Sequence, residues 1–210
     1  MYTLFHSPGS ASMPVHLALL EIGAPYELQR LDLDKNEHRD PEYLKMNPNG
    51  LVPTLIVDGQ PHYEAAALLM LLAERHPEAK LAPLPGTPER ALYLQWMFHL
   101  SNTVQAAFRM WFHPQYGGPP EHEAAIKQAA REEIEAAWSR LDAHFEKTRP
   151  FMLGSTYGVL DMMTIVLLRW SRNMPKPATE WPRIAKFVSK VKSRAAWKRV
   201  YKIDGLTEWA

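Results

Sequence analysis

Cysteine is absent from all 210 residues. That excludes disulfides, thiolate metal sites and any mechanism that runs through a protein thiol. Neither sign of charge is in excess: 24 Lys and Arg face 23 Asp and Glu, leaving +1. No basic stretch reaches the density of a nucleic-acid surface. Long hydrophobic runs are also missing. The longest, Ala65 to Ala73, falls well short of the ~20 apolar residues a membrane helix needs. Met1-Tyr2-Thr3-Leu4-Phe5-His6 carries no basic segment followed by a long apolar one, so no signal peptide is expected. Nine histidines are scattered without tight ligand spacing to a helical His partner, and no metal is predicted. The expectation is a cytoplasmic protein with neither membrane nor nucleic acid as partner.

What is present reads as two regions. The first ~80 residues alternate strand and helix, the pattern of an α/β sheet. Tyr2–Phe5 is a short strand and Ser7-Pro8-Gly9-Ser10 a loop. A helix starts at Ser12, with Val15, Ala18, Leu19 and Ile22 at helical spacing, and Gly23-Ala24-Pro25 stops it. A second strand spans 26–31, and 34–44 is polar and partly helical. Thr54–Val57, Asp58-Gly59 and Gln60–Tyr63 read as strand, tight turn and strand, and a helix follows over 65–75. Pro77, Pro83, Pro85 and Pro88 crowd the next segment, read as a linker over 78–87. Thr87-Pro88-Glu89 is a helix start, with Thr87 as N-cap. Helices are then predicted over 88–112, 121–148, 158–172, 181–192 and 194–202. The domains are thus 1–77 and 88–210, the second all-helical.

The most informative run is Asn47-Pro48-Asn49-Gly50-Leu51-Val52-Pro53-Thr54-Leu55. Pro48 and Gly50 suit a tight turn. Pro53 cannot donate to a strand ladder, so it sits at an edge or carries a special bond geometry. Two readings stay open: an ordinary loop leading into a strand, or a cis bond that turns the Val52 N–H and C=O outward to pair with a peptide-like ligand.

With this motif, the chain resembles the cytosolic glutathione transferases over nearly its whole length, in a bacterial beta-like or theta-like form. Four matches carry the resemblance. Asn47-Pro48-x-Gly50-x-Val52-Pro53-x-Leu55 is similar to the family's cis-proline loop. Glu64, an apolar helix and Leu72-Ala73-Glu74-Arg75-His76-Pro77 resemble the end of its N-terminal domain. Ser7-Pro8-Gly9-Ser10-Ala11-Ser12 resembles the catalytic loop of bacterial members. Phe151-Met152-Leu153-Gly154 with Asp161 resembles the helix-capping motif of its C-terminal domain. The resemblance implies a thioredoxin-like α/β N-terminal domain that binds glutathione, an all-α C-terminal domain, a second substrate held between them, and a homodimer. Glutathione is then a co-substrate, and no other cofactor is implied.

Such a site must stabilise a thiolate. A free thiol titrates near ~8.5, and lowering that by about two units needs roughly 2.7 kcal/mol. A hydroxyl donor plus a helix N-terminus is on that scale. Ser12 at the helix start is the first candidate and Ser10 its rival; simple N-capping is the plainer role for Ser12. The resemblance implies that Leu51, Val52 and Pro53 bind glutathione, the Val52 backbone pairing with the cysteinyl amide and Pro53 holding that geometry. It implies that the helix N-terminus at Ala65 takes the γ-glutamyl carboxylate and that Glu64 meets the ammonium. Lys35 or His38 would reach the glycyl carboxylate, unless they are solvated loop charges. Met13, Phe108, Phe112 and Tyr116, with Trp111 and Trp170, are candidate walls for a hydrophobic substrate or simply core. Arg109 would bind an anionic substrate or be an exposed helix charge.

The chain also departs from the family's pattern. Ala11 stands where bacterial beta-like members carry cysteine, and Gln105 and Ala106 where they carry a His-Lys pair. Phe5 and His6 occupy the region of the tyrosine-type members' tyrosine. Ala65 replaces a usual serine, removing one hydrogen bond to a charged group, worth roughly 1.5–3 kcal/mol. Gly158 replaces a usual Ser or Thr cap. The expected activity is attack of glutathione thiolate on a hydrophobic electrophile. The alternatives are a glutathione-binding or partner-binding protein with little catalysis, or a glutathione-dependent isomerase, peroxidase or dehalogenase.

Overall fold

Strand β1 (Tyr2–His6) alternates buried and half-buried side chains, as a central strand does when both sheet faces are covered unequally. The computed structural model describes residues 1–209. Chain contacts group them into two units, residues 1–82 with Lys192 onward, and Pro83–Val191.

In the first unit, β1 pairs in parallel with β2 (Tyr26–Arg30) and antiparallel with β3 (Thr54–Val57), which pairs antiparallel with β4 (Gln60–Tyr63). The order is β2-β1-β3-β4. Helix α1 (Met13–Ile22) joins β1 to β2 and ends on Gly23, whose φ of 73° is the left-handed cap that a side chain would disfavour. A short 3-10 turn at Glu37–Arg39 leads into α2 (Pro41–Met46), capped by the Asp40 carboxylate, which accepts from the Glu42 N–H at 2.8 Å. Helix α3 (Ala65–Arg75) packs on α1. These elements follow the sequence reading and build the α/β domain it describes.

The second unit is helical: α4 (Pro88–His99), α5 (Gln105–Phe112), α6 (Glu123–Thr148), α7 (Val159–Trp170) and α8 (Pro182–Lys192). One π-helical turn, Leu100–Val104, joins α4 to α5, so the predicted 88–112 helix is continuous but locally widened. Residues Val159 to Arg169 of α7 are all buried, which suits its nearly unbroken apolar sequence. Asp161 anchors the start of α7: its two oxygens accept the Gly158 and Met152 N–H groups, each at 2.8 Å. Asp142 on α6 docks α8, accepting the Arg183 and Ile184 N–H groups at 2.7 and 3.1 Å.

Helix α9 (Ala195–Asp204) differs from the sequence-based division, which places everything after residue 88 in the helical domain. It packs against α1 and is grouped with the first unit. The Arg194 guanidinium, at its start, donates to both carboxylate oxygens of Glu21 at 2.8 and 2.7 Å. No periodicity argument reveals such a long-range partner. No described helix is long and apolar enough to cross a membrane.

Candidate active site

Three loops meet at one end of the sheet, and strand register puts them there. Phe5 pairs with Thr54, and Thr54 with Tyr63. The loop leaving β1 (residues 7–12), the loop entering β3 (50–53) and the β4–α3 junction (64–65) therefore share that end.

In the first loop the hydroxyls are spoken for. Ser12 is fully buried and occupies the N-cap position of α1, yet makes no side-chain cap bond to that helix. Its hydroxyl instead reaches back to Ser7, accepting from the Ser7 N–H and lying 3.1 Å from the Ser7 carbonyl. Ser10 is half-exposed. Its hydroxyl donates to the same carbonyl at 2.7 Å, accepts from the Ser12 N–H at 3.2 Å and lies 2.8 Å from the Ser12 hydroxyl. A buried Ser12 braced on Ser7 and an accessible Ser10 have different chemistry available to them, which residue type alone does not reveal.

The second loop has the cis reading. The Val52–Pro53 bond is cis, and neither the N–H nor the C=O of Val52 enters a backbone hydrogen bond among the described residues. Beneath it lies a network that the sequence reading missed. The Leu51 carbonyl accepts from the Tyr43 hydroxyl at 2.6 Å and the Asn47 side-chain amide at 2.8 Å. Thr54 joins both, its hydroxyl 2.8 Å from that of Tyr43 and 3.2 Å from Asn47 Nδ2. Tyr43, Asn47 and Thr54 are all buried. Asn47 appears in sequence only as a turn former; Tyr43 carries no local signal at all. Gly50 has φ +56°, and a Cβ there would sit 2.7 Å from Arg39 Nη1 and 3.0 Å from the His38 carbonyl oxygen. Glycine is required on both counts.

At the third loop, Glu64 is exposed with φ 74° and ψ 104°. A non-glycine residue held there costs on the order of 1–3 kcal/mol, and such outliers cluster at functional sites. Ala65 follows, buried, as the first residue of α3, whose leading N–H groups have no partner within the helix.

The remaining candidates separate. Lys35 is 75% exposed and bound to Asp32 at 3.1 Å, and that hydrogen bond raises its pKa. His38 lies closer in, its backbone carbonyl against Gly50 and its Nδ1 buried without a hydrogen bond. Burial, then the neighbouring Arg39 charge, pushes its pKa down. Met13 is buried in the first unit. In the second unit Phe108 is core rather than surface, fully buried against Trp138, Phe112 and Trp170. Phe112 and Tyr116 are about half exposed, and the exposed Arg109 guanidinium lies 4.6 Å over the Tyr116 ring.

Known proteins share this organisation. The family described as "Glutathione S-transferase, N-terminal domain" matches residues 1–74, and "Glutathione S-transferase, C-terminal domain" matches 123–200. Glutathione S-transferase GstA of Escherichia coli O157:H7 is 24% identical over 206 residues, covering 97% of this chain and 98% of its own. A glutathione transferase homolog from Sulfitobacter, solved with bound glutathione, superimposes with a TM-score of 0.90 at 26% identity, covering 99% of both chains. BphK, a bacterial transferase solved as a ternary complex, gives 0.86 at 30% identity over 97% of this chain and 100% of its own. With both domain families matched in order and the cis-proline loop inside the first, the chain belongs to the glutathione S-transferase family.

Proposed function

We propose that this chain conjugates glutathione, as the thiolate, to hydrophobic electrophiles, with Ser10 as the hydroxyl that stabilises sulfur. The observation that carries the reading is the cis Val52–Pro53 loop, whose Val52 N–H and C=O take no backbone partner. An extended peptide pairs with such a pair of groups as an added strand does. The register puts the Ser10 loop and the α3 N-terminus at the same end of the sheet. There the cysteinyl backbone would lie on Val52, and the γ-glutamyl carboxylate on the N–H groups at Ala65. Glu64 would meet the ammonium, and His38, ahead of the Asp32-bound Lys35, would stand toward the glycyl end.

Ser10 is preferred to Ser12 on geometry. When the Ser10 proton turns toward sulfur, the Ser12 hydroxyl can take over the Ser7 carbonyl, 3.1 Å away, so no buried acceptor is stranded. Ser12 then acts as a positioning residue. In the second unit, the exposed Phe112 and Arg109 on α5 and Tyr116 beyond its end remain candidates for contact with the electrophile. A cytoplasmic homodimer is part of the proposal.

The test is calorimetric titration with glutathione while thiolate absorbance is followed across pH. A bound thiol pKa clearly below ~8.5 that returns toward it in Ser10→Ala supports the proposal. Binding without a lowered pKa points to a glutathione-binding protein with little catalysis, a reading that the missing hydroxyl at Ala65 favours. No binding at millimolar glutathione overturns both.

A further inference from the structure

Behind the Ser7–Ser12 loop, three side chains from distant parts of the chain converge. His6 ends β1, His16 lies on α1 and Asp204 ends α9. Each offers one ligand atom, and the three atoms lie within 4.8 Å of one another. His6 Nδ1 and His16 Nδ1 stand 3.8 and 4.0 Å from the same Asp204 oxygen, and all three residues are buried.

We propose that His6, His16 and Asp204 form a buried structural site for one divalent cation of the zinc class. Three points no more than 4.8 Å apart share a centre within about 2.8 Å of each. Shifts of well under 1 Å then reach the 2.0–2.2 Å of zinc bonds to imidazole and carboxylate. Two imidazoles and one carboxylate are a donor set for zinc, and a water completes four-coordination.

Two further observations point at the same centre. His16 Nδ1 is buried and without a hydrogen bond, on a side chain with no exposed surface, and it faces Asp204. The other ring nitrogen, Nε2, is 2.9 Å from the Tyr26 hydroxyl. That contact fixes ring orientation, and with Nε2–H donating to the Tyr26 oxygen the Nδ1 lone pair is left for a metal, as outer partners of ligating histidines do. Asp204 is also the last residue of α9, where the negative end of the helix dipole favours added positive charge. Ligation takes each histidine as the neutral imidazole, the form that burial favours. Against this, the positive charges of Arg30 and Arg199 act on His6 and His16. They cap the affinity without removing the donor set.

The full-length protein is stripped with chelator and titrated with zinc by calorimetry, then with cobalt, whose absorption reports coordination. The expected result is one ion per chain, a raised melting temperature, and cobalt bands of low coordination number. Asp204→Asn, close to isosteric, is expected to weaken zinc at least tenfold and to abolish the thermal shift. Tyr26→Phe, which touches no ion, is expected to weaken binding about tenfold and covers the case where Asp204→Asn misfolds. Failure to take up one ion per chain, or equal binding in the parent, Asp204→Asn and Tyr26→Phe proteins, overturns the proposal.

Discussion

The hydroxyls of Ser10 and Ser12 lie 2.8 Å apart and share one acceptor, the Ser7 carbonyl. Only Ser10 has exposed surface, so the two substitutions should fail differently. Ser10→Ala removes the acceptor of the Ser12 N–H, a longer bond at 3.2 Å, and is expected to cost about 1 kcal/mol. It should raise the bound thiol pKa by about one unit and cut conjugation near neutral pH roughly tenfold. Ser12→Ala strands the buried Ser7 N–H, which now donates to it, and should destabilise by about 1–3 kcal/mol. Paired denaturation and kinetic measurements separate them. A stable, inactive Ser12→Ala with an active Ser10→Ala would reverse the assignment.

Ala65 sits where a hydroxyl would face the proposed γ-glutamyl carboxylate. The position is buried and helical, at the first residue of α3. Ala65→Ser adds one oxygen at a point where the helix already offers N–H groups. A hydrogen bond to a charged group contributes about 1.5–3 kcal/mol, so glutathione should bind at least tenfold more tightly. Calorimetry reads this directly, and unchanged affinity would move the carboxylate elsewhere.

The Leu51 carbonyl has two donors, Tyr43 and Asn47, so single removals should be unequal. Tyr43→Phe leaves the Asn47 amide in place and should cost about 1 kcal/mol. Asn47→Ala removes that amide together with the acceptor for the Asn49 N–H. It should cost about 2–3 kcal/mol and raise the glutathione Kd several-fold through loosening of the Val52 loop. Equal effects on binding would mean that the network does not position the loop.

What was legible in the sequence was local. Asn47-Pro48-Asn49-Gly50 announced a turn, Gly23 and Pro25 ended α1, and Asp161 stood three residues after Gly158 at a helix start. Each signal acts over a few residues, and the structure shows each of them. The contacts that lay beyond reach join residues far apart in sequence. Glu21 and Arg194 are 173 positions apart, and the His6, His16 and Asp204 cluster spans almost the whole chain. Spacing rules for metal ligands apply within a helix or hairpin, so scattered histidines gave no warning of it. Ser10 and Ser12 had a different obstacle: identical chemistry two residues apart, distinguished only by which one the fold buries.

His144 supplies a pH prediction. Its Nε2 is 2.7 Å from the Met152 carbonyl, and its ring lies against Trp96 and Phe145. Burial lowers its pKa, only partly offset by that hydrogen bond. A lowered folded-state pKa means that the unfolded chain takes up the proton first. Stability is therefore full above about 6.5 and falls as pH drops below it. Urea unfolding at pH 7.5 and 5.5 should show a smaller loss for His144→Gln than for the parent. An equal loss would place the acid sensitivity in other histidines.

Asp161 closes two buried donors at once, the Met152 and Gly158 N–H groups, each at 2.8 Å, while itself almost fully buried. Because Gly158 has no side chain to cap α7, this carboxylate ties the Phe151–Gly154 turn to the helix start through side-chain oxygen. Asp161→Ala leaves both N–H groups without their acceptor in a region that excludes water. At about 1–3 kcal/mol for each stranded donor, the loss should reach roughly 3 kcal/mol or more, a large share of the 5–15 kcal/mol of a typical fold. Asp161→Asn keeps one acceptor oxygen but turns an NH2 toward the other donor, so it should rescue only in part. Gly158→Ser tests the cap from the opposite side. A serine hydroxyl there can accept from the Asp161 N–H, as caps do, and should raise the parent's stability by a few tenths of a kcal/mol while doing nothing for Asp161→Ala's stranded Met152 N–H. Chemical denaturation of the four proteins decides the point: equal stability for the parent and Asp161→Ala would show that this carboxylate does not hold the helix start.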